Sequence, residues 1–278
     1  QQEEEDNGGK EASLLRGEYS SGVLITDERA VSKDNQPQFK PFSSNSTCPL
    51  VFGLGHQKSG TTAIVFALGH IANLTARNDI KSFWMERSMN DSQLLNVLHR
   101  KHGFIRKEGH ALVYARNISR VCPETRFYYV KRDMLQTVRS VADRLQMNAN
   151  STCTNLPRQL KIPSGWKSLF KESNDTSCLI RVARHYLHYH RRFKEFERTL
   201  PYYVPFIDYQ HFALNQSESV QQLCLSLDLE NCHQTVIEHK QYQKPGENRE
   251  KQLSEIWPVS LLEELEQLQA DEIQRASS

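Results

Sequence analysis

The stretch from Pro49 to Leu68 constrains the chain most, because its pattern dictates a backbone path. Leu50, Val51, Phe52 and Leu54 form a short apolar run, Gly55-His-Gln-Lys-Ser-Gly-Thr-Thr62 follows, and Ala63, Ile64, Phe66, Ala67 and Leu68 continue. A short apolar run closed by glycine reads as a buried strand, and the spacing after it reads as a helix. Strand, tight loop and helix N-terminus together aim backbone N–H groups and a helix dipole at one anion. Gly55 and Gly60 have the separation of the two glycines in the triphosphate loop GxxxxGK[ST]. Thr61 stands where that loop carries its lysine, and the lysine comes early, at Lys58. An ordinary kinase or ATPase reading therefore fails at its most diagnostic position.

Around this stretch the chain divides in two. Residues 1–47 are polar, acidic at the start and poor in large apolar residues after Leu24 and Ile25, which reads as a flexible stem. From residue 48 to 278 strand and helix signals alternate. A second strand is expected at Gly103–Glu108, a third at Arg126–Arg132 and a fourth at Tyr202–Asp208, where Pro205 implies an edge or a bulge. Helices are expected at Ser92–His102, Leu135–Met147, Cys178–Leu200 and Ser217–Leu227. Pro258 takes a first helical position, and Val259, Leu262, Leu265 and Leu268 form the apolar stripe of a last helix. Residues 148–177, rich in Asn, Ser, Thr and Pro, form an excursion, and Asn78–Trp84 is a candidate acceptor-facing loop. The alternation predicts an α/β fold with a central parallel sheet flanked by helices.

Composition narrows the setting. Lys plus Arg is 35 and Asp plus Glu is 33, so no global field recruits nucleic acid. No run of about 18 apolar residues exists to span a membrane, and the first ten residues lack the pattern of a signal peptide. Asn-x-Ser/Thr occurs at Asn45, Asn73, Asn90, Asn117, Asn150, Asn174 and Asn215, against roughly two sites expected by chance. Six cysteines, an even number, fit an oxidising compartment. The expectation is an N-glycosylated chain of the secretory lumen, Golgi or secreted, whose targeting segment or anchor lies outside this sequence.

A second motif completes the first. Arg132-Asp-Met-Leu-Gln-Thr-Val-Arg-Ser140 places a serine eight residues after an arginine that leaves the third strand, so both reach one phosphate from different sides. Lys58-Ser-Gly-Thr-Thr62 resembles the 5′-phosphosulfate loop of sulfotransferases that use 3′-phosphoadenosine 5′-phosphosulfate (PAPS), and a cradle with an early lysine suits that group. Arg132 and Ser140 match the two contact residues of that family's 3′-phosphate segment, with Met134 where proline is common. The resemblance covers residues 48 to about 230 by element order. It implies a P-loop-like sulfotransferase fold and sulfuryl transfer from PAPS to an acceptor hydroxyl, without a metal.

The resemblance also assigns roles. Lys58 and the amides of Gly60, Thr61 and Thr62, with Ser59 in the same turn, hold the 5′-phosphosulfate. Lys107-Glu108 looks like the Lys-Glu-Pro stretch of luminal carbohydrate sulfotransferases, whose glutamate is the base; Gly109 replaces the proline, and His110 is the rival base. Lys244 and Arg249 lie in a basic loop of the kind that closes the nucleotide site in that family. His185, His188 and His190 stand among arginines without an acidic or thiol partner at ligand spacing, so no metal site is read there. The expected acceptor is a glycan hydroxyl; tyrosine, a sterol-like alcohol or a small hydroxyl compound also fits. Two other classes stay open: a nucleotide kinase of related fold, which Thr61 opposes, and a non-catalytic luminal binding protein, which Lys58, Arg132 and Ser140 oppose.

Strand order carries one covalent expectation. Cys48 precedes the first strand and Cys122 the third, so parallel neighbours would bring them within bridging distance. Cys153–Cys178 would then tie off the excursion, and Cys224–Cys232 a helix to its following loop.

Overall fold

The computed structural model describes residues 48–77, 89–99, 105–107, 111–151, 177–230 and 257–277, together with Cys153, Leu156, Leu160 and Cys232. Strand β1 (Val51–Gly55) is buried at every position, which requires covered faces on both sides of a sheet. With β2 (Ala76–Arg77), β3 (Ile105–Lys107), β4 (Arg126–Lys131) and β5 (Phe206–Asp208) it forms a parallel sheet of order β2-β3-β1-β4-β5. The fold is α/β with helices on both faces, as the alternating pattern predicts.

Strand periodicity decides which helices lie where. Phe52 and Leu54 of β1 pack with Phe127 and Tyr129 of β4 in one core, while Val51 packs with Tyr128 and Val130 in the other. The first core takes α2 (Asp91–His99), α3 (Ala115–Val121), α4 (Met134–Leu145), α5 (Cys178–Glu197) and α8 (Val259–Ser277). The second takes α1 (Thr61–Ile71), α6 (Tyr209–Leu214) and α7 (Gln216–Ser226). Helix starts follow local chemistry. Asn90 and Gln93 exchange side-chain-to-backbone bonds of 2.9 Å as a capping box before α2, and Asp133, Ser177 and Asp208 cap α4, α5 and α6.

All three expected disulfides are present: Cys48–Cys122, Cys153–Cys178 and Cys224–Cys232. The first follows from the register, in which Val51 lies opposite Arg126 in the parallel β1–β4 pair. Disulfides of this number mark an oxidising compartment. Among the described residues no helix is long and apolar enough to cross a membrane.

Two expectations change, and one strand has no counterpart among them. The fourth predicted strand forms only over Phe206–Asp208, at the sheet edge that Pro205 implied; the Pro205 carbonyl still accepts from the Tyr129 amide at 2.9 Å. The stripe of α8 begins at Leu261 and continues through Leu265 and Leu268, whereas Val259 is 63% exposed, because the first turn projects beyond the core. β2 has two residues, too few for alternation to register in a sequence. The stem 1–47, Asn78–Trp84 and most of 148–177 lie outside the described residues, although Leu156 and Leu160 are buried in the first core.

Candidate functional site

β1 and β4 are parallel neighbours, but the helices that follow them depart to opposite faces: α1 to the second core and α4 to the first. Loops that diverge in this way open a crevice outside the carboxyl ends of the two strands, the usual ligand position in open parallel sheets. The loop 55–60 and Arg132 both border it.

The loop is built tightly. The His56 carbonyl accepts from the Ser59 amide at 3.1 Å and from Ser59 Oγ at 2.7 Å, closing a turn in which Lys58 adopts φ 68°. Left-handed backbone at a non-glycine residue persists only where its surroundings over-determine it. Gly60 follows at φ 92°, and a Cβ there would lie 1.9 Å from the Tyr209 ring, so this position admits only glycine. Ala63 and Ile64 both donate to the Gly60 carbonyl, at 3.0 and 3.3 Å, so the amides of Gly60, Thr61 and Thr62 precede the helical ladder. No side chain caps this end of α1.

Arg132, 5% exposed, is the residue that joins the two halves. Its Nη1 donates to the Lys58 carbonyl at 2.7 Å, and its guanidinium lies 4.8 Å from the centre of the Tyr209 ring. Tyr186 Oη donates to the Arg132 carbonyl. Burial holds the Tyr186 phenol well above its usual range, so it remains a donor. Ser140 lies on α4, half-buried, about 9 Å along the axis from the helix start.

Helix α5 supplies the floor. Tyr189 Oη accepts from the Gly55 amide at 3.1 Å, and Nε2 of His56 lies 2.8 Å from Nδ1 of His185. His56 Nδ1 lies 2.8 Å from the Gln57 carbonyl, so the hydrogen belongs on Nδ1. Burial pushes the His56 imidazole down to about 4, and the bond to Gln57 offsets this only in part.

The structure thus brings Lys58, Ser59, Gly60, Thr61, Thr62 and Arg132 to one crevice and places Ser140 on the helix that leaves it. β3 ends at Lys107, one residue past Phe52's partner Arg106 and opposite Gly53; Glu108 and His110 follow outside the described residues, as do Lys244 and Arg249. Tyr186, Tyr189 and Tyr209 have no motif to announce them, and His56 lies within the glycine-rich loop as an unassigned position. Tyr189 lies three and four positions after Tyr186 and His185 on the helix, so its side chain neighbours both, which is the available signal. His185 faces His56, while His190 lies beside Tyr129, 3.4 Å from its Oη. Among the described residues no group of three or more metal-binding side chains exists.

No family model and no curated protein matches the chain. Among solved structures, a sulfotransferase from Alicyclobacillus acidocaldarius is 12% identical, with a TM-score of 0.47 over 68% of this chain and 84% of that one. An unliganded sugar kinase from Janibacter sp. HTCC2649 is 10% identical, with a TM-score of 0.36 over 66% of this chain and 96% of that one. Neither likeness bears on the chemistry of the site.

Proposed function

We propose that this chain is a PAPS-dependent sulfotransferase that moves a sulfuryl group to an acceptor hydroxyl on a carbohydrate. One observation carries the reading: Arg132 donates to the Lys58 carbonyl at 2.7 Å, so two motifs about 70 residues apart in sequence border one crevice. A loop and helix start that offer amides and one early lysine suit a 5′-phosphosulfate, and a second basic residue beside them suits the 3′-phosphate. The residues fit this donor better than a triphosphate, because Thr61 occupies the position of the triphosphate lysine.

When bound, PAPS supplies an activated sulfuryl group with adenosine 3′,5′-bisphosphate as its leaving group. Lys58 and the amides of Gly60, Thr61 and Thr62 neutralise charge on the 5′-phosphate side. Arg132 and Ser140 fix the 3′-phosphate, and Lys244 and Arg249 are further candidate contacts for the nucleotide. Glu108 takes the acceptor proton, with His110 as the competing base. The glycan acceptor rests on the oxidising compartment and the sequons.

Calorimetric titration with adenosine 3′,5′-bisphosphate and with ATP, followed by transfer from labelled PAPS to glycan, peptide and small-molecule acceptors, tests the reading. The nucleotide should bind without magnesium and ATP poorly. Lys58→Ala should lower turnover by about 100-fold or more, and Glu108→Gln by a similar factor with unchanged nucleotide affinity. Magnesium-dependent ATP binding without bisphosphate binding would overturn the proposal in favour of a kinase.

A further inference from the structure

His56 and His185 are each 1% exposed and meet ring to ring beneath the crevice, with centroids 4.9 Å apart. Because His56 Nδ1 donates to the Gln57 carbonyl, its Nε2 carries a lone pair, and the 2.8 Å contact requires His185 to donate from Nδ1. The direction of this bond is therefore fixed: α5 donates and the loop accepts. Tyr186 and Tyr189 close around the same ring, with centroids at 5.4 and 5.9 Å.

The consequence lies in the backbone of the same residue. The His56 carbonyl receives both bonds that close the Ser59 turn, and that turn holds Lys58 at φ 68°. A lysine in the left-handed region is strained, so the turn needs a rigid anchor at its first residue. His56 is attached to β1 through the chain and to α5 through its ring, and the ring bond depends on one donor.

We propose that His185 is a positioning residue of the anion loop: its Nδ1–H fixes the His56 ring, and the His56 carbonyl then holds Lys58 and the following amides in their anion-receiving conformation. The identity of the anion rests on the PAPS reading; the positioning rests on the geometry alone. His185 does not touch the ligand. Its effect passes through His56 and should therefore follow the donor at Nδ1 and not the size or charge of the ring.

Two variants separate these. His185→Asn keeps an N–H donor near the Nδ1 position without a titratable ring, and His185→Leu fills similar space without a donor. Hydrogen exchange of the Ser59 amide reports the turn without any ligand, and calorimetric titration with adenosine 3′,5′-bisphosphate reports the site. The Leu variant should exchange about tenfold faster and bind about tenfold more weakly, as expected for one lost buried hydrogen bond. The Asn variant should stay within about threefold of the parent in both. Should the Leu variant not fold, His185→Gln, whose amide falls at the Nε2 position, replaces it, and Asn must outperform Gln. Exchange in the Leu (or Gln) variant equal to that of the parent overturns the proposal, and so does an Asn variant as defective as the variant that lacks the donor. If exchange splits as expected but no form binds nucleotide, the positioning stands and the PAPS reading falls. If all forms bind nucleotide equally, the positioning falls and that reading stands.

Discussion

β4 carries a buried arginine at its first residue, Arg126, and another just past its last, Arg132, and the two do opposite work. Arg126 is 2% exposed; its Nη1 donates to the carbonyls of Leu227 and Asp228, and its Nη2 lies 3.1 Å from the Asp228 carboxylate. It locks the end of α7 to the amino edge of the sheet, where Cys48–Cys122 also joins β1 to β4. Arg132 lies against a loop carbonyl and the face of Tyr209 at the carboxyl edge. A helix C-terminus presents carbonyls that a buried cation satisfies, whereas a helix N-terminus presents amides that need an anion. The same residue type is a structural rivet at one edge and, in the proposed function, a binding residue at the other, where it meets the loop before a helix start.

The largest expected effect comes from the rivet. Arg126→Met removes the donors of two carbonyls and should destabilise the fold by about 3 kcal/mol, read as a lower urea midpoint at unchanged slope. Nucleotide affinity of the folded fraction should hold. If affinity falls instead while stability persists, the two edges are coupled and the contrast fails.

Arg132→Met should show the inverse pattern. Stability should change by about 1 kcal/mol, less than at Arg126, since it satisfies one loop carbonyl where Arg126 satisfies two carbonyls and pairs with a carboxylate. Binding of adenosine 3′,5′-bisphosphate should weaken by about 30-fold, with little loss of turnover at saturating PAPS, because a contact to a remote phosphate contributes uniform binding. Collapse of turnover at unchanged affinity would move Arg132 from the binding role to the chemical one.

Sequence and structure agree where local pattern carries the information. The path from Leu50 through Leu68 was legible because apolar run, glycine and helix spacing each act within a few residues. The disulfide at Cys48 and Cys122 was legible because parallel neighbours start at the same edge. The motifs single out Lys58 and Arg132 as candidates, but the bond between them spans 74 positions and appears in no local pattern. The same applies to Tyr209, which excludes every side chain but hydrogen at Gly60 from about 150 residues away. Nothing local marks Arg126 as buried, because a strand-opening arginine looks exposed until a helix end covers it. His185 stands in the sequence among arginines and without a metal partner, and its ring partner, His56 of the loop 55–60, lies 129 positions away.

The smallest effect concerns acid, and it should fall on one edge. His56 in the loop and His190 on α5 are both pushed down to about 4, chiefly by burial, with Lys194 and Lys131 adding to the effect at His190. Their ordinary value is 6.5, so between these limits the unfolded chain binds more protons than the native one and stability falls as pH falls. The contribution is fully present above about pH 6.5, and at pH 5.5 each histidine should have cost on the order of 1 kcal/mol. Hydrogen exchange at pH 7.5 and pH 5.5, corrected for the intrinsic rate, should therefore show added opening in the loop around residues 55–60 and in the middle of α5. The Arg126 edge, held by carbonyls, an ion pair and a disulfide, should not change between these values. Equal loosening of both edges would mean that acid acts on the whole fold, and that the carboxyl edge holds no separate store of neutral histidine.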